Sequence, residues 1–417
     1  MQSRKAVELA TLALCLTARA AAQVPGTYGN IAEYGLPNAK SNPYPLGIAA
    51  GPDGALWFTE DYANKIGRIT TAGAFTEYPV PTAHSQPWGI TAGPDGALWF
   101  TELIGTKIGR ITVAGEIAEY PVPTAGSYPA GIAAGPDGAL WFAEYNAYQV
   151  GRITTGGQIT EYPVPADGAE PYPYLIAAGP AGALWFTEAS DFGNKIGRIT
   201  ISGQVTQYPV PTPASNPEGI VAGPDGALWF TEHSGNKIGR ITTAGSITEY
   251  PVPAANNGPY WIAAGQDGAL WFTSEQQIGR ITTTATITGY PTPGAHYLNG
   301  IAAGPDGGLW FIGATPATVG RAPACGLGFS ASFAESALTM RFDLGIDTPA
   351  TFNILLHSAT SVVRPFSKEI PSVVPPQAFT MTLSDVPNVG DVTAQAVLTA
   401  GGGQAICSEW NGVNTAR

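Results

Sequence analysis

The fold of this chain is decided by one stretch, GPDGALWFTE at residues 93–102, close copies of which recur along three-quarters of the sequence. A unit of roughly 40–45 residues is what one four-stranded blade of a β-propeller requires, whereas helical repeats of that length need amphipathic helices, which are not apparent here. We therefore predict an all-β fold, a seven-bladed β-propeller. The repeated tryptophans are spaced by 42, 42, 44, 44, 42 and 39 residues: Trp57, Trp99, Trp141, Trp185, Trp229, Trp271 and Trp310.

Each unit is predicted to form four antiparallel strands, A to D. In the second unit, Asp95-Gly96 lies between two apolar runs, a strong signal for a tight hairpin because its central positions must tolerate positive φ. In strand B, Leu98 and Phe100 should face one side of the sheet and Trp99 the other, since side chains alternate along a strand. Both faces of a blade are thus apolar, as packing between two neighbouring blades requires.

Ring closure is predicted from the two ends of the repeat region, residues 27–323. The last unit ends on the strand C signature Val319-Gly320-Arg321 and has no strand D of its own. A strand D sequence, residues 31–37, instead precedes the first unit. We expect this N-terminal segment to complete the seventh blade and remove its exposed edge.

The remaining segments are assigned from composition. Residues 1–22 resemble a secretory signal peptide, with Arg4 and Lys5, an apolar stretch and small residues up to Ala22, so we expect a secreted or periplasmic protein. Residues 324–417 alternate polar and apolar positions and predict a small β-sandwich-like domain. In an oxidising compartment, Cys325 and Cys407 are expected to form a disulfide within it.

The charge balance bears on the partners. The chain has 31 acidic and 19 basic residues, a formal net charge of −12. Nucleic acid is an unsuitable partner because phosphate contacts need clustered Lys and Arg. We expect a monomer without a membrane span, which takes a small molecule, glycan or peptide at the propeller's top.

The top is defined here as the end of the ring where strand A begins and strand B ends. The second residue of each P-x-G-I entry to strand A varies between units, and variable positions are where a specific function can reside. Aromatic and polar side chains there suit stacking on sugars, aromatic rings or cyclic peptides. Alternatively, the rings only plug the central channel. The predicted ligand-binding residues are Trp88, Tyr174, Tyr260, Trp261 and Asn299.

Two further sets of candidates lie at the top. Glutamates ending strand B could form an acidic mouth suited to a cation, with Glu188 and Glu232 as metal ligands. Alternatively, each of these glutamates pairs with the lysine that begins the next strand, as in Glu102 with Lys107. Glu218 and His296 are the candidate catalytic residues, His296 as a general base or as an exposed histidine without function.

Four motifs recur in fixed order: P-x-G-I, GPDGALWFTE, NKIGRIT and ITEYPVP. Together they resemble the virginiamycin B lyase (streptogramin B lyase) family over residues 27–323. The resemblance implies a seven-bladed propeller and a magnesium-dependent elimination that opens a cyclic depsipeptide, with a histidine as base. At the positions of two family histidines this chain has Tyr260 and Asn299, and at a required glutamate it has Gly313. Two functions follow. One is a ligand-binding propeller without turnover, for which the sequence assigns no cofactor. The other is a diverged Mg²⁺-dependent carbon–oxygen lyase that acts on a cyclic depsipeptide or related ester.

Overall fold

The computed structural model describes the chain from residue 31 to residue 412 with gaps. The described residues are 31–39, 43–166, 168, 170–189, 193–253, 258–292, 294–322, 328–334, 337–346, 350–358, 362–370, 373–384, 392–400 and 403–412.

The first six blades are consecutive four-stranded antiparallel sheets in the order A-B-C-D. Blade 1 comprises Pro45–Ala50, Ala55–Glu60, Lys65–Thr70 and Phe75–Pro79. Blade 2 comprises Pro87–Ala92, Leu98–Glu102, Lys107–Ile111 and Ile117–Pro121. Blade 3 comprises Pro129–Ala134, Leu140–Glu144, Gln149–Ile153 and Ile159–Pro163. Blade 4 comprises Pro173–Ala178, Ala183–Glu188, Lys195–Thr200 and Val205–Pro209, with a 3₁₀ turn at Pro180–Gly182. Blade 5 comprises Pro217–Ala222, Leu228–Glu232, Lys237–Ile241 and Ile247–Pro251. Blade 6 comprises Ile262–Ala264, Leu270–Thr273, Gln277–Ile281 and Ile287–Pro291.

Blade 7 is completed by the N-terminal segment, as the sequence predicted. Its strands A to C are His296–Ala303, Leu309–Thr315 and Thr318–Ala322, and Ala32–Gly35 pairs antiparallel with the last of these, Tyr34 opposite Val319. Across the closing seam, Asn299 Nδ2 of blade 7 donates to the Pro45 carbonyl of blade 1 at 2.9 Å. The seven-bladed propeller is therefore confirmed as a closed ring.

The core lies between neighbouring blades. Trp57 of blade 1 is fully buried, stacks on Tyr78 of its own blade with ring centroids 5.5 Å apart, and packs with Leu98 and Phe100 of blade 2. The ring of Phe100 in turn lies over Gly109, where an added Cβ would meet it at 2.0 Å. This arrangement confirms the predicted alternation of strand B and explains the glycine of strand C.

A second repeated feature anchors each tryptophan. In six blades the aspartate of the Asp-Gly turn accepts the indole N–H at 3.0 Å and binds the strand C arginine at 2.6–2.8 Å. Blade 4 has Ala181 instead, and among the described residues the buried Trp185 Nε1 has no acceptor. These aspartates are Asp53, Asp95, Asp137, Asp225, Asp267 and Asp306.

Ala181→Asp is expected to stabilise the propeller by about 1–2 kcal/mol, because it supplies an acceptor to a buried N–H and a partner to Arg198. Ala181 has φ 59°, a left-handed conformation that Asp tolerates better than Ala. Thermal and denaturant unfolding measure the gain. Asp137→Ala is the matched reverse change, expected to lose at least as much; an unchanged melting temperature for Ala181→Asp would contradict this account.

The C-terminal region contains two antiparallel sheets, in agreement with the predicted small β domain. One sheet comprises Gly328–Ala334, Ala337–Ile346 and Val373–Ser384. The other comprises Val362–Ile370, Ala350–Ser358, Val392–Ala400 and Gly403–Gly412. The expected signal peptide and Cys325, hence the expected disulfide, lie outside the described residues.

Within the described ranges, no helix has the length and apolar character needed to cross a membrane.

Candidate functional site

The entries to strand A converge because neighbouring backbones approach closely there. An added Cβ on Gly47 would lie 2.7 Å from the Trp88 carbonyl of the next blade, and one on Gly300 only 2.5 Å from the Leu46 carbonyl. The glycine of P-x-G-I is thus required by the close approach of backbones. Leu175 and Trp261 replace it in blades 4 and 6, where the entry differs in shape.

A threonine in strand B fixes the backbone of this ring in five blades. Thr231, for example, accepts from the Gly219 amide of its own blade at 2.8 Å and donates to the Tyr260 carbonyl of the next blade at 2.7 Å. The same link reaches the carbonyls of Trp88, Glu218 and Asn299. These threonine bonds hold the backbone of the variable residues and do not involve their side chains.

Three of the predicted ligand-binding aromatics come together at the top. The hydroxyls of Tyr174 and Tyr260 lie 3.3 Å apart, joining blades 4 and 6 across blade 5. Trp88 of blade 2 meets the Tyr174 ring edge-on with centroids 6.3 Å apart, and Tyr145 does so at 6.0 Å. Trp88, Tyr174 and Tyr260 each keep a minor part of their surface exposed.

Glu218 is the acidic member of this group. Its side chain is 7% exposed, and Oε1 accepts from Asn216 Nδ2 at 2.8 Å. Burial raises the pKa of Glu218 to about 8, partly offset by the Asn216 hydrogen bond. The carboxyl also helps to raise the pKa values of Tyr145, Tyr174 and Tyr260, for each of which burial is the largest cause. We call Trp88, Tyr145, Tyr174, Glu218 and Tyr260 the mouth group.

His233 borders the mouth group and was not selected as a site residue from the sequence. Its ring meets Tyr260 edge-on with centroids 5.8 Å apart, and its buried Nδ1 has no partner among the described residues. His233 follows Glu232, where blade 5 passes from strand B to strand C. No other unit has a histidine after its strand B glutamate, and this departure from the repeat could have identified His233 from the sequence.

The other predicted site residues lie apart from the mouth group or play scaffold roles. His296 is exposed at the first residue of strand A in blade 7, whereas Glu218 is buried, so the structure does not show the two side chains as a pair. Asn299 is buried and closes the seam to blade 1. Trp261 contacts Tyr260 and packs between blades, with its indole N–H unpaired among the described residues.

The glutamates that end strand B do not line an open acidic mouth. Glu188 and Glu232 are fully buried, as are their counterparts in the first three blades. Burial is the largest cause that raises the pKa of Glu232 to about 8, followed by the neighbouring Glu249 carboxyl. The structure therefore encloses these carboxyls in protein, whereas the sequence suggested an acidic mouth.

In blades 2 and 5 the strand C lysine binds a strand D glutamate, and not Glu102 or Glu232 as the alternative pairing had it. Lys107 Nζ donates to Glu119 of strand D at 2.8 Å, and Lys237 donates to Glu249 at the same distance. In blade 4, where Gln207 takes the strand D position, its amide donates to Glu188 Oε1 at 2.8 Å. The strand D carboxylates compete successfully for the lysines because they are only partly buried and lose less hydration.

The predicted ligands Glu188 and Glu232 do not form a magnesium site in the part of the chain that the structure describes. Among the described residues, no group of three or more His, Cys, Asp and Glu side chains could hold a metal ion. Glu188 and Glu232 belong to different blades and are each enclosed by protein. Oxygen ligands for Mg²⁺ must converge on one point with near-octahedral geometry, which these two carboxyls do not provide.

The fold and the mouth group define a seven-bladed β-propeller with an aromatic and acidic candidate ligand site where the blades converge. Comparison with known proteins gives the family: the sequence model of the virginiamycin B lyase family matches residues 12–190 and 169–327. The chain belongs to this family.

Solved structures agree with this assignment. Virginiamycin B lyase from Staphylococcus aureus is 43% identical, covering 70% of this chain and 98% of its own, with a TM-score of 0.65. A streptogramin B lyase structure is 41% identical, covering 72% of this chain and 99% of its own, with a TM-score of 0.66. Virginiamycin B lyase of Bordetella bronchiseptica is 50% identical over 40 residues, so the match spans only 13% of that curated relative and 10% of this chain.

Proposed function

We propose that this protein is an exported ligand-binding propeller that holds a small molecule, glycan or peptide at the mouth group without family lyase turnover. The observation that carries the proposal is the half-buried cluster of Trp88, Tyr174 and Tyr260 around Glu218. Aromatic faces with a few convergent polar groups are typical of ligand sites.

Unpaired polar atoms at the same place support the proposal. Among the described residues, the buried Nε1 atoms of Trp88 and Trp261 have no acceptor, and His233 Nδ1 has no partner. A buried donor or acceptor without a partner costs about 1–3 kcal/mol. A polar ligand, or solvent, would supply the missing partners and relieve this cost. Rings that only plug a channel would leave these atoms unpaired.

The absence of turnover is proposed from the family positions. Where the resemblance places histidines and a glutamate for the elimination, this chain has Tyr260, Asn299 and Gly313. The Asn299 side chain instead hydrogen-bonds across the seam between blades 7 and 1, and the Tyr260 hydroxyl contacts that of Tyr174. In the Staphylococcus aureus relative, a histidine-to-alanine variant is described as catalytically inactive and was crystallised with quinupristin.

Quinupristin is therefore the first probe to use. We expect saturable binding by calorimetry and an intact compound by mass spectrometry, with and without added Mg²⁺. Tyr260→Ala should weaken binding by about tenfold or more, because large aromatic contacts dominate such sites. Tyr162→Ala, on a ring that stacks on Trp141 in the layer between blades, is the off-site control.

Ring-opened product that disappears in Glu218→Ala or His296→Ala would overturn the proposal in favour of a diverged carbon–oxygen lyase. Failure of quinupristin and of a wider panel of glycans and peptides to bind would also refute it.

A further inference from the structure

The mouth group combines an uncompensated carboxyl with aromatic faces. Among the described residues no ion pair joins Glu218 to a Lys or Arg, and its Oε1 accepts a hydrogen bond from the neutral Asn216 amide. The titratable groups that face it are Tyr145, Tyr174 and Tyr260, with His233 behind Tyr260. None of these tyrosines carries a positive charge, so a buried carboxylate here lacks a counter-ion from the protein.

The rings are oriented at steep angles to one another. Trp88 and Tyr145 stand at 62° and 70° to Tyr174, and His233 and Trp261 stand at 66° and 70° to Tyr260. In each of these pairs the edge of one ring meets the face of the other, so the group contains several π faces at different orientations. The faces carry negative partial charge, and they attract a cation within about 6 Å of the ring centroid.

From this geometry we infer that the mouth group binds an organic cation, whose ammonium group lies against the faces of Trp88, Tyr174 and Tyr260 and pairs with the carboxylate of Glu218. This inference rests on the proposed function, because it names the ligand class of the same site. An anionic ligand would meet only like charge and the negative faces of the rings. A net charge of −12 also favours the approach of cations.

Binding should be coupled to proton release. Because burial raises the pKa of Glu218 to about 8, the carboxyl is mostly protonated at neutral pH before the ligand arrives. A bound ammonium group favours the ionised form and lowers that pKa. Release of a proton is therefore a signature that a purely hydrophobic ligand would not give.

The test compares choline with its uncharged analogue in which carbon replaces the nitrogen, so that shape is constant and only charge differs. We expect choline to bind at least about tenfold more tightly to the full chain. Calorimetry in buffers of different ionisation enthalpy should show proton release at neutral pH for choline alone.

Glu218→Gln keeps the volume and can still accept from the Asn216 amide, but it cannot ionise when the ligand binds. It should weaken choline binding by about tenfold and leave the analogue within about twofold. Glu116→Gln, an exposed residue at the opposite end of blade 2, removes the same formal charge and should change neither ligand. Circular dichroism and melting curves establish that each variant is folded, and the comparison on the unmodified protein needs no variant.

Equal binding of both compounds, lost together in Trp88→Leu, would overturn the cation inference while leaving ligand binding at the mouth in place. No binding of either compound would also overturn it, and the quinupristin and panel measurements then decide the proposed function separately.

Discussion

Replacing Ala32–Gly35 by a Gly-Ser segment should lower the melting temperature by about 10 °C or more and promote self-association. These residues form strand D of blade 7, pairing from Ala32 opposite Arg321 to Gly35 opposite Thr318. Without them, the strand Thr318–Ala322 becomes an exposed edge with unpaired amides and carbonyls. Such an edge is a template for pairing with another chain.

Side chains of the same segment close the ring. Tyr34 stacks on the fully buried Trp310 with ring centroids 5.9 Å apart, and the Glu33 carboxylate accepts the Ala295 amide at 3.2 Å. Loss of a large aromatic contact costs about 3 kcal/mol when the ring is buried and less when it is partly exposed, as Tyr34 is. Thermal unfolding and light scattering measure the two consequences.

Tyr34→Phe is the matched control, since it keeps the stacking ring and the backbone pairing. It should unfold within about 2 °C of the unmodified protein, whereas Tyr34→Ala should fall between it and the strand replacement. A strand replacement that unfolds like the unmodified chain would show that this pairing does not close the ring.

Much of the propeller follows from the sequence because each blade repeats the same solution. Trp99 and Phe100 alternate across a strand, and the aspartate of each turn has one tryptophan and one arginine to bind, so local pattern and packing agree. The missing strand D and its spare copy at the N-terminus predict closure without knowledge of loop geometry.

The site was less predictable because it depends on contacts between blades that no single unit encodes. Lys107 could reach either Glu102 or Glu119, and the sequence alone did not show that Glu102 is the more deeply buried. Tyr145 of the mouth group and the bordering His233 lie on loops that follow strand B. Their positions depend on loops that differ between units, so the repeat pattern does not predict where these side chains lie.

The buried glutamates have a consequence for pH: the melting temperature should be highest near about pH 4 to 5 and fall by on the order of 10 °C towards pH 9. Burial is the main cause that raises the pKa of each carboxyl from the ordinary value of 4.5 to about 7 for Glu60 and Glu102 and about 8 for Glu144 and Glu232.

The direction follows from proton binding. Between pH 4.5 and the folded-state pKa values, the folded protein keeps protons on these carboxyls that the unfolded chain has released. Their stabilising contribution is complete below pH 4.5 and is lost as the pH rises through about 7 to 8. Hydrogen bonds to Trp99 and Arg110 lower the pKa of Asp95 despite its partial burial, so the turn aspartates lose their contribution at acidic pH and an optimum results.

Glu144→Gln isolates one of these groups, because the amide imitates the protonated carboxyl in shape and cannot ionise. It should be nearly neutral at pH 5 and stabilising at pH 9 by on the order of a few kcal/mol, since each pKa unit corresponds to about 1.4 kcal/mol. Glu116→Gln, at an exposed turn, should leave the pH profile unchanged. Chemical denaturation at three pH values is the measurement. A profile that stays flat from pH 6 to 9, or an equal slope in Glu144→Gln, would mean that water or a cation reaches these carboxyls and keeps them ionised in the folded ring.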